Sequence, residues 1–200
     1  QMSKKQADIR NWFNAGDSRE LELENKEHCN DNDNLEKPKT REILVFTDGS
    51  TLNNGSVNAR GGVGVFFGNN DSRNISKKII GKKVTNNICE LMAVILAIQK
   101  VIETEDTTSK IRIVIMTDSE YIVKSVLKYS VNWKKNGYKN KQGKPIKNME
   151  LMKKGLELTE SYNVKLHHCL AHKSEPKDSK KRKIWYGNKM ADSLARQGSK

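Results

Sequence analysis

The hydrophobic pattern divides the chain at Arg41. Residues 14–40 are polar, rich in Asn, Asp, Glu and Lys, and carry no apolar period. They are expected to form a disordered linker. From Arg41 onward, short apolar runs alternate with helical periods. "ILVFTD" (43–48) is a strand by length and β-branched content, and "GGVGVFF" (61–67), after a Gly/Asn-rich turn, reads as its hairpin partner. Residues 75–84 read as a third strand. In "TNNICELMAVILAIQKVIE" (85–103), Leu91, Val94, Ile95, Ile98 and Ile102 recur at helical spacing, and Asn86 or Asn87 can cap the start. "IRIVIMTD" (111–118) is apolar nearly throughout and predicts a central strand buried on both faces. Helices are expected over 119–129, capped by Ser119, and over 149–160. A strand follows over 164–171, then a last helix over 188–198 with Gly198 after it. Three strands followed by alternating helix and strand predict an α/β fold. Its five-stranded mixed sheet has three antiparallel strands, then two parallel ones, and is flanked by helices.

Composition narrows the picture. Apolar residues make up 35% of 200 positions, so the core is modest, and no apolar run is long enough to span a membrane. No apolar secretory segment is visible at the N-terminus. Cys29, Cys89 and Cys169 are odd in number and widely spaced, which suits free thiols in a reducing compartment. An intracellular, soluble monomer is expected, nuclear or cytoplasmic and not secreted. The net charge of +13 is unevenly spread. Residues 1–40 hold 7 Lys/Arg and 9 Asp/Glu, and residues 41–200 hold 30 and 15. So basic a domain should attract polyanions.

Two expected strands end alike, in "FTDGS" and "MTDSE". Neighbouring strands would bring Asp48 and Asp118 together at one sheet edge. Glu90, in the first turns of the intervening helix, and Asp192, in the first turns of the last helix, can converge on the same point. Four carboxylates there repel one another, and a cation must offset the cost. All-oxygen ligands suit Mg²⁺ or Mn²⁺ better than zinc. Two such ions about 4 Å apart support phosphodiester cleavage. "HHCLAHKSE" (167–175) raises the separate question of zinc. His167, His168 and Cys169 fall on an expected strand and alternate between its faces, so they are read as strand residues, with Cys169 in the core.

These pieces carry a resemblance. "TDGS" (47–50), "GGVGV" (61–65), "TNNICELMA" (85–93), "TDSEYIV" (117–123), "NWKKNGYKNKQGKPIKN" (132–148), "AHK" (171–173) and "GNKMADSLA" (187–195) follow one another in the order found in type 1 ribonucleases H. Residues 41–200 thus resemble that catalytic domain. The resemblance implies an endonuclease that hydrolyses the RNA strand of RNA/DNA hybrids with two Mg²⁺ ions, Mn²⁺ being a substitute. Products would carry 5′-phosphate and 3′-hydroxyl ends. It implies that Asp48 bridges both metals, that Asp192 completes the site of the attacking water, and that Glu90 and Asp118 serve the leaving-group side. His172 matches a mobile histidine beside the metals that shuttles protons or helps product leave.

The resemblance also implies substrate contacts. "WKKNGYKNKQGKPIK" (133–147) has six lysines and no acid. In the family this segment grips the DNA strand, through Lys134, Lys135 and Tyr138, with Trp133 packed on deoxyribose. Lys83, Thr85 and Asn86, with Asn148 nearby, match a phosphate pocket for DNA. Asn86, Asn87 and Glu120 match readers of the RNA minor groove. Three departures stand out. Tyr129 stands where eukaryotic relatives often have Trp. The turn "STLNNGSVNARGG" is longer than the bacterial pattern. His172 and Asn188 are 16 positions apart. The segment between reads as an enlarged, mobile loop (173–187) over the substrate, with 7 Lys/Arg and 2 acids from Lys173 to Lys189. Its "KKRK" (180–183) also fits an import signal.

No hybrid-binding domain of the eukaryotic kind is recognisable in residues 1–40. "QADIRNWF" (6–13) instead fits a sliding-clamp-binding peptide, with Gln6, Ile9, Trp12 and Phe13 as its contacts. Two other functions stay open: an integrase- or transposase-like DNA nuclease of the same superfamily, and a non-catalytic hybrid-binding module. The lysine-rich segment argues against the first, and the presence of all four acids against the second.

Overall fold

A computed structural model describes residues 40–81, 83–106, 110–170 and 174–200. Thr40–Lys200 forms a compact unit. The clamp-like residues Gln6, Ile9, Trp12 and Phe13 lie outside the described residues, as does His172. The elements are β1 (Arg41–Leu52), β2 (Arg60–Phe66), β3 (Ile75–Ile79), α1 (Asn86–Thr104), β4 (Ile111–Thr117), α2 (Glu120–Lys124), a π-helical turn (Ser125–Tyr129), α3 (Ser130–Lys135), α4 (Met149–Ser161), β5 (Val164–His168) and α5 (Ser179–Ser199). The sheet order is β3-β2-β1-β4-β5. The β1–β2 and β2–β3 pairs are antiparallel, and the β1–β4 and β4–β5 pairs are parallel. This is the expected mixed five-stranded sheet.

Side-chain alternation divides the sheet into two faces. Val45, Val63, Val65 and Ile115 point into the main core, where Leu91, Val94, Ile95 and Ile98 of α1 meet them. Gly155 of α4 lies against Leu91 and Ile95 of α1. The other face holds Phe46 and Phe66, tilted rings with centroids 6.5 Å apart, and it is covered by α5. Cys89 and Cys169 are free and buried. Among the described residues, no helix is long and apolar enough to cross a membrane.

Several boundaries differ from the sequence reading. The third strand stops at Ile79, not residue 84, and Ile80 is left exposed just before Gly81. Neither Asn86 nor Asn87 caps α1. Thr85, extended at φ −129° and ψ 160°, accepts from the Ile88 amide instead. Ser119 does cap the next helix, accepting from the Ile122 amide, but the α-helical hydrogen bonding ends at Lys124 and a π turn intervenes. The fifth strand ends at His168, where its pairing with β4 ends.

The largest difference is α5, which begins at Ser179 and contains Gly198. Residues 179–187, read as loop, are helical. Asp178 caps this helix by accepting from the amides of Lys180 and Lys181. Charged residues fill the added turns, so no apolar period announces them. They are anchored further along, where Tyr186 meets the Phe66 ring edge-on at 6.1 Å and donates to Asn69 Oδ1 at 2.9 Å.

Candidate active site

Glycines set the positions of the four acids. On β2, Gly62 and Gly64 face α5, where a Cβ would overlap the backbone of Ala191, Ala195 and Ser199. Only a bare backbone lets the helix lie this close. Gly64 is the register partner of Asp48, so Asp192, next to Ala191, is held above Asp48. Gly187 lies against the Phe46 ring in the same way. On the opposite face, a Cβ at Gly49 would overlap the backbone of Cys89 and Glu90. The neighbour of Asp48 thus draws the first turns of α1 onto the sheet. Pairing of β1 with β4 ends at Thr47 and Thr117, which leaves Asp48 and Asp118 side by side just past the parallel ladder.

Two expectations about placement need correction. Asp48 is not at the end of its strand, since β1 continues to Leu52 paired with β2 alone. Asp192 is not in the first turns of its helix, because α5 starts thirteen residues earlier. The convergence survives both changes, because it depends on register and on helix docking, not on element ends.

Burial and like charge act together here. Asp48 is 7% exposed, and its carboxyl is pushed up to about 8 by burial, then by Asp118 and Asp192, with a smaller contribution from Glu90. The Gly49 amide donates to it at 2.8 Å and opposes the rise. Burial, then the charge of Asp118, also pushes the Glu90 carboxyl up. Each remaining acid has an orienting partner. Ser119 Oγ and Asn86 Nδ2 donate to Glu90. Asn188 donates through Nδ2 to Asp118 Oδ2 at 3.2 Å and accepts through Oδ1 from the buried Cys169 thiol at 3.3 Å. Arg196 Nε donates to Asp192 at 2.8 Å. Ser119 and Asn188 were absent from the site as read by sequence. The serine was legible only as a cap, and the asparagine only as part of "GNKMADSLA".

Among the described residues, no three His, Cys, Asp or Glu side chains are already drawn together as a metal-holding group. Glu90 and Asp192 are turned toward the hydrogen-bond donors just named. The donor chemistry nevertheless fits a divalent cation. Asp48 is a buried carboxyl raised by three other acids, and the cluster offers oxygen donors only. Rotating Glu90 off Ser119 and Asn86, and Asp192 off Arg196, would free both carboxylates to join such a set. His167 and His168 diverge from one another: His167 is half-buried and its pKa is lowered, mainly by burial. The ring of exposed His168 lies 3.2 Å from the Asp118 carbonyl. Cys169 is in the core, and burial pushes its thiol up to about 12.

The expected substrate contacts surround this cluster unevenly. Thr85, Asn86 and Asn87 occupy the start of α1, beside Glu90, and Lys83 is exposed just before it. Asn148 caps α4 in the left-handed region at φ 55°. Glu120 is exposed and ion-paired with Lys124, which lowers its pKa. Trp133 is half-buried, packed on the core and tilted against Tyr129 at 5.6 Å. Tyr138 is also half-buried, under Lys153 at 5.2 Å, and its carbonyl accepts from the Ile146 amide. It therefore anchors the lysine-rich segment. Lys134 is ion-paired with Glu160, and Lys135 is exposed.

Comparison with known proteins agrees with this architecture. The profile of the family described as RNase H matches residues 40–200. "Ribonuclease H" of Schizosaccharomyces pombe is 39% identical over 156 residues, which are 78% of this chain and 52% of that protein. Ribonuclease H1 of Mus musculus is 31% identical over 158 residues, 79% of this chain and 50% of that protein. The chain thus spans about half the length of these curated relatives. LC9-RNase H1, described as a type 1 RNase H with the type 2 active-site motif, superposes with a TM-score of 0.60 at 25% identity. That match covers 80% of this chain and 73% of the other. With the sheet order, the family profile and the named relatives in agreement, the chain belongs to the type 1 ribonuclease H family.

Proposed function

We propose that residues 40–200 are a hybrid-specific endoribonuclease that cuts the RNA strand of RNA/DNA duplexes and leaves 5′-phosphate and 3′-hydroxyl ends. The observation that carries this is the convergence of Asp118, Asp192 and Glu90 on the buried carboxyl of Asp48, within the fold of the RNase H family. Two Mg²⁺ or Mn²⁺ ions held by these four side chains would supply an activated water and stabilise the departing oxygen. Asp48 would serve both ions, Asp192 the water side, and Glu90 and Asp118 the leaving-group side. Asp48 would have to give up its proton to hold a cation, so loading should be favoured as pH rises toward 8. Asn188 keeps Asp118 pointed at the cluster, and Ser119 holds the Glu90 carboxylate until a cation draws it away. Trp133, held against Tyr129, presents an apolar surface suited to deoxyribose, and the lysines of 134–147 supply sequence-independent affinity. From the family resemblance, His172 is proposed as a proton carrier or product-release group.

Labelled RNA/DNA hybrid, duplex RNA and duplex DNA, each with and without Mg²⁺, test the reading. Only the hybrid should be cut, and only with the cation. Asp118→Asn should bind hybrid but lose cleavage by about 10²-fold or more. Cleavage of duplex DNA alone, or near-normal cutting by that variant, defeats the proposal. Residues 6–13 are proposed to dock on a sliding clamp through Gln6, Ile9, Trp12 and Phe13. Calorimetry of a residue 1–20 peptide with a clamp should give saturable binding, and a flat titration removes this partner.

A further inference from the structure

Apart from Gly187 and Asn188, the N-terminal half of α5 is a built feature with no role in holding the acids. Between Ser179 and Lys189 it carries Lys180, Lys181, Arg182, Lys183 and Lys189 and no acid. Its first turn is fixed by the Asp178 cap and by Arg182, which pairs with Glu175 and donates to the carbonyls of Pro176 and Lys177. Its last turn is fixed by Tyr186 on Phe66 and Asn69, and by Gly187 on Phe46. A merely solubilising surface needs no such anchoring.

Helical geometry gives this segment a direction. Positions three, seven and eleven before a residue share its face. Counting back from Asp192, these are Lys189, Trp185 and Lys181. Lys189 lies over the half-buried Trp185 ring at 4.8 Å, which holds the ammonium on this line. Lys181 is exposed at the far end. At ~1.5 Å per residue, the two lysines sit about 4 and 16 Å along the axis from Asp192. Phosphates of one strand advance ~3.4 Å per nucleotide along a duplex, so the span covers roughly one to five nucleotides. The cluster of acids beside it repels phosphate, and a cationic flank running away from the cluster offsets that repulsion during approach.

We propose that this face of α5 is a phosphate rail, on which Lys189 and Lys181 bind backbone phosphates of the hybrid within about five nucleotides of the scissile bond. The proposal rests on the hybrid-cleavage reading and adds a binding site to it. The test is hybrid affinity across a salt series in the Asp118→Asn background, with Lys181→Glu/Lys189→Glu added. A charge-matched control carries Lys100→Glu/Lys110→Glu, at the sheet end where Arg41 meets Glu105. The rail predicts at least about tenfold weaker binding at 0.1 M salt. It also predicts a salt slope shallower by about 2, since each neutralised phosphate contributes about 0.9. The control should change the slope by less than half as much. In the otherwise wild-type enzyme the double change should raise KM and leave kcat within about twofold. Unchanged affinity and slope, or an equal loss in the control, overturns the rail and leaves the hybrid reading standing. An Asp118→Asn protein that binds no hybrid at any salt overturns both.

Discussion

Asp48→Asn tests whether the site stores charge repulsion. The carboxyl is 7% exposed and is pushed from 3.8 to about 8 by burial and by the neighbouring acids. A folded-state pKa above the unfolded one means that the native protein holds the proton more tightly. The stability this contributes is complete below about pH 4, and it is lost as pH rises through 8. A gap of roughly four units at about 1.4 kcal/mol each sets a ceiling of about 6 kcal/mol. Asparagine keeps the shape, can still accept from the Gly49 amide, and carries no charge. In EDTA, urea unfolding followed by tryptophan fluorescence should find variant and wild type alike near pH 4. At pH 8.5 the variant should be the more stable by about 3–6 kcal/mol. The difference between the two proteins isolates Asp48 from other acids that titrate in the same range. Millimolar Mg²⁺ should restore much of the wild-type deficit and stabilise the variant less. A variant no more stable than wild type at pH 8.5 without metal would refute the reasoning, because the Asp48 charge would then already be accommodated by the fold.

Gly64→Ala inserts a methyl against the Ala191 and Ala195 backbone and must lift α5 from β2. A stability loss of about 1–3 kcal/mol in urea titrations is expected, with reduced cleavage as Asp192 moves off Asp48; unchanged values would mean that the helix slides at no cost. Asn188→Ala removes the donor that orients Asp118 and the acceptor of the buried Cys169 thiol. It should lower kcat about 10- to 100-fold with KM little changed, and steady-state kinetics at several Mg²⁺ concentrations separate that from a lost affinity for the ion.

Much of the fold was legible because its signals are local. The apolar runs of β1 and β4, the helical period of α1 and the Ser119 cap are written within a few residues of where they act. The α5 extension was not legible, because charged residues fill its added turns and its anchors, Phe66 and Asn69, lie more than a hundred positions away. The same holds for the start of α1, where Thr85, just before the two asparagines, had the extended backbone that a cap requires.

By itself, the order of residues singled out four acids and pointed to an oxygen-loving cation as their partner, because carboxylate chemistry and seven spaced motifs do not depend on coordinates. It also determined the mixed sheet, since strand and helix periods follow from side-chain alternation. Only the tertiary structure decided how the acids meet. Strand register sets Asp48 beside Asp118, and the bare backbones of Gly49, Gly62 and Gly64 let α1 and α5 close on them. It alone decided that Ser119 and Asn188 hold the acids, and that the segment read as a loose basic loop is a helix aligned with Asp192. Those outcomes depend on close approach between distant segments, and no local pattern encodes such distances.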